Sequence, residues 1–203
     1  MPQIRFRIAR EARELEQIHA LHYKAFVEEI PQHTPNAEGR HVDRFHDENV
    51  YAIAVDGDTV IGSLALRARR PFSLDQKLPD LDAYLPPNRR CCEIRLLNIA
   101  REHRTGPVLP GLIAVLWDYA RAEEFDCALI SATTRQLKLY GHLGFVPFGP
   151  LVGTADAPFQ PMYLTLEAFQ ERAREISSLP PSTRGENVNL LPGPVATSSW
   201  IAT

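Results

Sequence analysis

Two β-rich runs flank Asp56-Gly57-Asp58 in "VYAIAVDGDTVIGSLALRAR". An Asp-Gly turn between such runs is among the strongest local hairpin signals, and it commits the middle of this chain to antiparallel sheet. The flanks fall into place around it. Ile4–Ile8, "IRFRI", alternates apolar and basic residues as a half-buried strand does. Leu15, Ile18, His22, Ala25, Phe26 and Glu29 then recur at helical spacing, with Glu11 and Glu14 in the first turn and Pro31 as the stop. The polar stretch His33–Asn49 reads as a long loop, of a length that often serves function.

After the hairpin comes an irregular stretch, Pro71–Arg90, bearing Pro71, Pro79, Pro86 and Pro87. The remaining order is strand ("CCEIRLLNIA"), loop ("REHRTGPVLPG"), helix ("LIAVLWDYARAEE") and strand ("DCALISA"). A short helix ("TTRQLKLYGHLGF", Thr133 or Thr134 as N-cap), two strands ("VPFGPLVG", "PMYLTL") and a last amphipathic helix ("EAFQERAREISS") close the series. The fold class is mixed α/β, in one domain over residues 1–177. Residues 178–203 are rich in Pro, Ser and Thr without periodicity and read as a linker or arm.

Composition excludes several functions. The net charge of -3 offers no basic field for nucleic acid. "RARR" at 67–70 and Arg89–Arg90 read as small anion sites or solvated loop charges. No apolar run approaches a membrane span, and "MPQIRFRIAR" lacks the core of a signal peptide, so a cytoplasmic location is expected. Cys91, Cys92 and Cys127 fit neither a disulfide framework nor a zinc spacing and read as small hydrophobes; no metal is expected.

The chemistry concentrates between Glu93 and Tyr140. A strand bearing Glu93 and Arg95 feeds a loop with Arg101, Arg104, Thr105 and Gly106, which opens a helix near Leu109. Backbone N–H groups at a helix start, approached by arginines, suit a diphosphate. The next strand and helix end in "LYGHLGFVPFG", where Gly141 and Gly144 let the chain turn out of the helix beside Tyr140.

This unit resembles the GNAT acyltransferase superfamily, which moves an acyl group from a thioester, usually acyl-CoA, to an amine. "LYGHLGF" and "EIRLLNIAREHR" carry the resemblance, in the right order. It implies a central, mostly antiparallel twisted sheet flanked by helices. It also implies acetyl-CoA or a longer acyl-CoA as co-substrate, held along Leu97, Ile99, Arg101, Arg104, Thr105, Gly106, Val108 and Leu109. "HYKAFVEEI", "DRFHDENVYAIAVDGDTVIGSLALR" and "CEIRLL" are similar to the branch of acyl-homoserine-lactone synthases and N-acyl amino acid synthases. Within that branch Phe26, Asp43, His46 and Arg95 are implied to bind a small-molecule amine acceptor. His46 stands where a second acidic residue is expected, and Arg95 lies two rather than three residues after Glu93. Both departures point away from lactone synthesis itself. Pro107 has no N–H for a phosphate and Leu109 is bulky, which leaves an acyl-carrier-protein thioester open as donor.

Aminolysis of a thioester needs a neutral amine, a polarised carbonyl and a proton for the departing thiolate. Tyr140, with a reference pKa of about 10 against about 8.5 for a thiol, is the candidate proton donor; otherwise it is a buried tyrosine in a helix cap. Glu93 is the candidate base, or else a strand carboxylate paired with Arg95 or a loop arginine. The oxyanion is expected on a backbone N–H near Leu97–Ile99. "NVNLLPGPVATSSW" resembles the opening of class V aminotransferases, which implies a fused or associated aminotransferase. A homodimer is compatible with all of this. The competing reading is a catalytically silent GNAT-like module that binds a ligand for an attached enzyme.

Overall fold

A computed structural model describes residues 4–29, 33–155 and 157–178. The aminotransferase-like stretch and Pro31 lie outside the described residues. The hairpin forms as expected: β2 (Asn49–Asp56) and β3 (Thr59–Arg67) turn through Gly57, whose φ of 59° suits the left-handed turn. β1 (Arg5–Ile8) pairs antiparallel with β2, and β4 (Cys91–Ile99) antiparallel with β3. β5 (Cys127–Thr133) joins β4 in parallel, and β8 (Pro158–Thr165) pairs antiparallel with β5. The short strands β6 (Val146–Pro147) and β7 (Val152–Gly153) both pair with β8. The result is one eight-stranded sheet in the order β1-β2-β3-β4-β5-β8-β6, antiparallel except at β4–β5.

Helices cover both faces. α1 (Ala12–Tyr23) lays Ile18 and Leu21 on Tyr51, Ile53, Val55, Val60 and Ala65 of one face. The expected single helix through Glu29 is interrupted: Lys24–Glu29 is wound as a π-helix. α2 (Val108–Ala122) buries Leu112 and Leu116 on the other face, against Leu64, Leu66, Cys92 and Ile99. It starts at Val108, one residue before the expected opening near Leu109, with Pro107 and Pro110 at a helix end and in the first turn, where N–H groups lack intrahelical partners anyway. It lies so close to β1 that a Cβ at Gly111 would collide with the Phe6 ring. α3 (Leu137–His142) follows a 3₁₀ turn over Thr134–Gln136; Thr133 caps that turn by position, with no side-chain bond. α4 (Leu166–Ser178) brings Phe169 onto Trp117 of α2, ring centroids 4.0 Å apart.

The proline-rich segment 71–90 is a wall and not a free loop. Phe72, Leu74, Leu78 and Leu81 pack with Cys127, Leu129, Phe148 and Val152 on the α1 face. Cys91 packs with this cluster and Cys92 with the α2 cluster, on opposite faces as strand alternation requires. No helix among the described residues is long and apolar enough to cross a membrane.

Candidate active site

β4 and β5 are paired only at Cys91–Cys127, Cys92–Ala128 and Glu93–Leu129; beyond that point they part. A bulge in β4 accompanies the parting. Ser63 pairs with Asn98 and Ala65 with Arg95, so Leu96 and Leu97 both stand against Leu64. Leu96 takes φ 55°, an uncommon conformation for a residue with a Cβ.

A cavity of about 160 Å³ fills the wedge, walled by Ile94 and Leu97 of β4, Ile130 of β5, Phe169 of α4, and Leu109, Ile113, Trp117 and Ala120 of α2. From Leu109 to Ala120 the helix runs about 16 Å at 1.5 Å per residue. The lining is apolar apart from a few groups, among them Arg95, Ser131 and Tyr140. Tyr140 is half-buried, its ring edge-on to Phe145 at 5.9 Å and its hydroxyl 3.4 Å from Gln136 Oε1. Burial pushes its pKa up, so the phenol keeps its proton at neutral pH. Gly144, at φ 95°, makes the turn that follows, where a Cβ would press on Leu164.

The opposite face of the parting is polar. Arg95 forms a two-pronged pair with Asp43, Nη1–Oδ2 2.7 Å and Nη2–Oδ1 3.1 Å. Burial alone would raise the Asp43 pKa; the Arg95 bonds and charge, with donors from Asn49 and the Phe45 N–H, more than offset it and hold the carboxyl below its usual range. The Phe45 ring lies 3.8 Å from the Arg67 guanidinium and 4.8 Å from that of Arg95. Arg67 is 1% exposed, gives Nε to Pro71 O at 2.8 Å, and pairs with Glu48 at 3.2 Å. It is therefore a buried cation and not a solvated loop charge.

Glu93 is fully buried and accepts three bonds, from Ser73 N (2.8 Å), Ser73 Oγ (2.5 Å) and Leu74 N (3.2 Å), with Arg95 Nε at 3.6 Å. The structure thus brings Asp43, Glu93 and Arg95 together. His46 stands in the same region, its Nδ1 3.2 Å from His19 Nε2 and 3.4 Å from the Tyr51 hydroxyl. Phe26, on the π-helix, reaches His22 with ring centroids 5.7 Å apart.

The expected cofactor loop is exposed from Arg104 to Pro107, and Gly106 takes φ 112°. Leu97 and Ile99 sit on β4, Arg101 is exposed, and Val108, the first residue of α2, is buried. Arg104 turns back onto the protein, with Nε on Ile99 O at 3.0 Å and Nη2 on Glu29 at 2.5 Å. Ser73, Ser131 and the burial of Arg67 escape sequence reading. Each depends on a partner or a strand position far away in the chain, and no local spacing announces it.

A family model for the N-acyl amino acid synthase FeeM matches residues 17–165. The chain belongs to this family. It is accordingly an N-acyltransferase. Solved structures agree on the fold. A CoA-dependent acyl-homoserine lactone synthase, BjaI, superposes with TM-score 0.71 at 20% identity, over 86% of this chain and 90% of its own. FeeM itself, an N-acyl amino acid synthase from uncultured soil microbes, gives 0.65 at 15% identity, over 85% and 96%. An N-acetyltransferase from Staphylococcus aureus gives 0.59 at 15% identity, over 81% and 99%. No curated protein matches the chain. The mixed, mostly antiparallel sheet flanked by helices is thus the acyltransferase fold that the two sequence motifs imply, and FeeM family membership places the chain in the branch that "HYKAFVEEI" and the two stretches after it resemble.

Proposed function

We propose that this FeeM family member transfers an acyl chain from a thioester to the amino group of an amino acid. One observation carries the reading: an apolar cavity on one face and a charged cluster on the other meet where β4 and β5 part. The cavity along α2 suits an acyl chain, and the parting lets the thioester carbon face the polar side. Arg67 Nη1, buried without a partner, offers a donor to the acceptor's carboxylate.

The neutral amine attacks the thioester carbon, the carbonyl electrons move to oxygen, and the C–S bond breaks as the intermediate collapses. Tyr140 protonates the departing thiolate, and the amine's surplus proton passes to solvent. The lone pairs of Glu93 are engaged by Ser73 and Leu74, so we assign it the positioning of Arg95 rather than proton removal. The exposed backbone at Thr105 and Gly106 suits the diphosphate of acyl-CoA, the donor class named for BjaI. A carrier-protein thioester is the second reading. It is favoured by the missing N–H groups of Pro107 and Pro110 and by the bond of Arg104 to Glu29.

Thiol release from acyl-CoAs of graded length, with amino-acid acceptors, tests the reading. Tyr140→Phe should lower turnover by about 10²-fold or more, as for loss of a general acid, while acyl-CoA still raises the melting temperature. Unchanged turnover removes Tyr140 from the mechanism. Failure of every acyl-CoA, with transfer from an acylated carrier protein, selects the second donor.

A further inference from the structure

Ser131 lies on β5 two positions past the last β4–β5 pair, Glu93–Leu129, as Arg95 does on β4. Its neighbours Ile130 and Ala132 point into the α2-side core with Met162 and Leu164. By alternation Ser131 points with Leu129 toward the polar face, the side of Glu93 and Arg95. It also lines the cavity. Its Oγ is buried and has no hydrogen-bond partner in the folded protein. A buried hydroxyl without a partner loses its hydration for nothing in return. Such groups are rare in native proteins and call for an explanation. An alanine would fill this position without that loss.

We propose that Ser131 is a catalytic residue, whose hydroxyl donates a hydrogen bond to the thioester carbonyl oxygen as that oxygen takes up negative charge. The inference rests on the acyl-transfer reading above and deepens it. The chemistry fits the place. When the amine nitrogen bonds to the carbonyl carbon, the π electrons settle on oxygen, and an oxyanion forms where the largely apolar cavity meets the polar face. The bulge at Leu96–Leu97 presents backbone from the β4 side of the parting, and Ser131 presents a hydroxyl from the β5 side. Two donors from opposite walls would then bracket one oxygen. When the intermediate collapses, the electrons return to form the amide carbonyl, the thiolate leaves, and the Ser131 proton stays on Ser131. Preorganised donors of this kind act because they are already desolvated and already oriented. The unpartnered Ser131 hydroxyl is already desolvated in the free enzyme, and β5 fixes where its oxygen sits, so that its O–H is free to turn to the developing oxyanion.

The test compares the parent with Ser131→Ala and Ser131→Cys on a thioester and amino acid that the parent turns over. Ser131→Ala should lose about 10²–10³-fold in kcat, the usual cost of one oxyanion donor, with KM for the thioester shifted within about threefold. Its melting temperature should equal or exceed the parent's, since no bond of the folded state is lost. Ser131→Cys, close in size and a weaker donor, should fall between the two, and it serves in place of the alanine variant if that fails to fold. An active Ser131→Ala overturns the assignment while leaving acyl transfer standing. A Ser131→Ala that loses activity only in step with a lowered melting temperature also overturns it, in favour of a structural role. A parent inactive on acyl-CoA and on acylated carrier protein alike would instead bring down the acyl-transfer reading and this inference with it.

Discussion

Arg95 grips Asp43 with both terminal nitrogens, and so ties the fourth strand to a loop 52 residues earlier in the chain. Asp43 is buried and Arg95 largely so, at 7% and 14% exposure. Breaking one half of such a pair strands the other. Asp43→Ala should therefore destabilise the fold by about 3–5 kcal/mol, as for other buried pairs losing one partner. Urea unfolding at neutral pH checks this. The Asp43 pKa is lowered in the folded state, so its contribution is present above the unfolded value of about 3.9 and fades as pH falls through the folded one.

Glu93→Gln separates positioning from proton removal. The amide presents an NH₂ where the carboxylate accepts from Ser73 and Leu74, so donors face donors. A loss of about 2–3 kcal/mol in unfolding free energy is expected, the range for bonds to a buried charged group. Full stability with turnover restored at high pH would instead mark Glu93 as the base.

His22 is wholly buried, its Nε2 3.3 Å from Ser63 Oγ. Burial, with the charges of His41 and His19, drives its pKa to about 3, and Asp43 pulls only weakly the other way. The folded value lies below the unfolded value of about 6.5, so the unfolded chain binds the proton first as pH falls. Stability from this group is full above about pH 6.5 and declines by about 1.4 kcal/mol per pH unit down to about pH 3. The difference in unfolding free energy between the parent and His22→Gln, plotted against pH, should show that slope. A flat difference contradicts the burial of a neutral imidazole.

Ala120 lines the end of the cavity farthest along α2 from Leu109. Ala120→Phe should shorten the space for the acyl chain. Competition between long and short acyl thioesters should shift toward the short by about tenfold or more, the scale of a methylene or two denied burial. Equal losses on both would mean that the chain does not reach Ala120.

Much of the fold is legible in the sequence, because its signals are local. Asp56-Gly57-Asp58 makes its own turn, and the apolar periodicity of "LIAVLWDYARAEE" marks α2 wherever it packs. The site is legible only in part. Tyr140 announces itself through two nearby glycines, and the structure puts it in the cavity wall. The engagement of Glu93 depends on Ser73, 20 residues earlier, which a proline-rich segment places by packing Phe72 and Leu74. The burial of Arg67 depends on Phe45 and Glu48 in another loop. Neither partner has a spacing that points to it. The π-helix after Tyr23 keeps helical periodicity closely enough that spacing does not separate it from α1.

The three residue pairs that join β4 to β5 also make the sheet two plates riveted at one corner. One plate carries Arg67, Glu93 and Arg95; the other carries Ser131 and leads directly into the turn with Tyr140. α2 braces both, through Gly111 against Phe6 on the first and through Trp117 against Phe169 beside the second. The angle between the plates sets the distance between the groups that would hold the acceptor and those that would act on the thioester. The helix that would line the acyl chain is thus also the helix that spans the two plates.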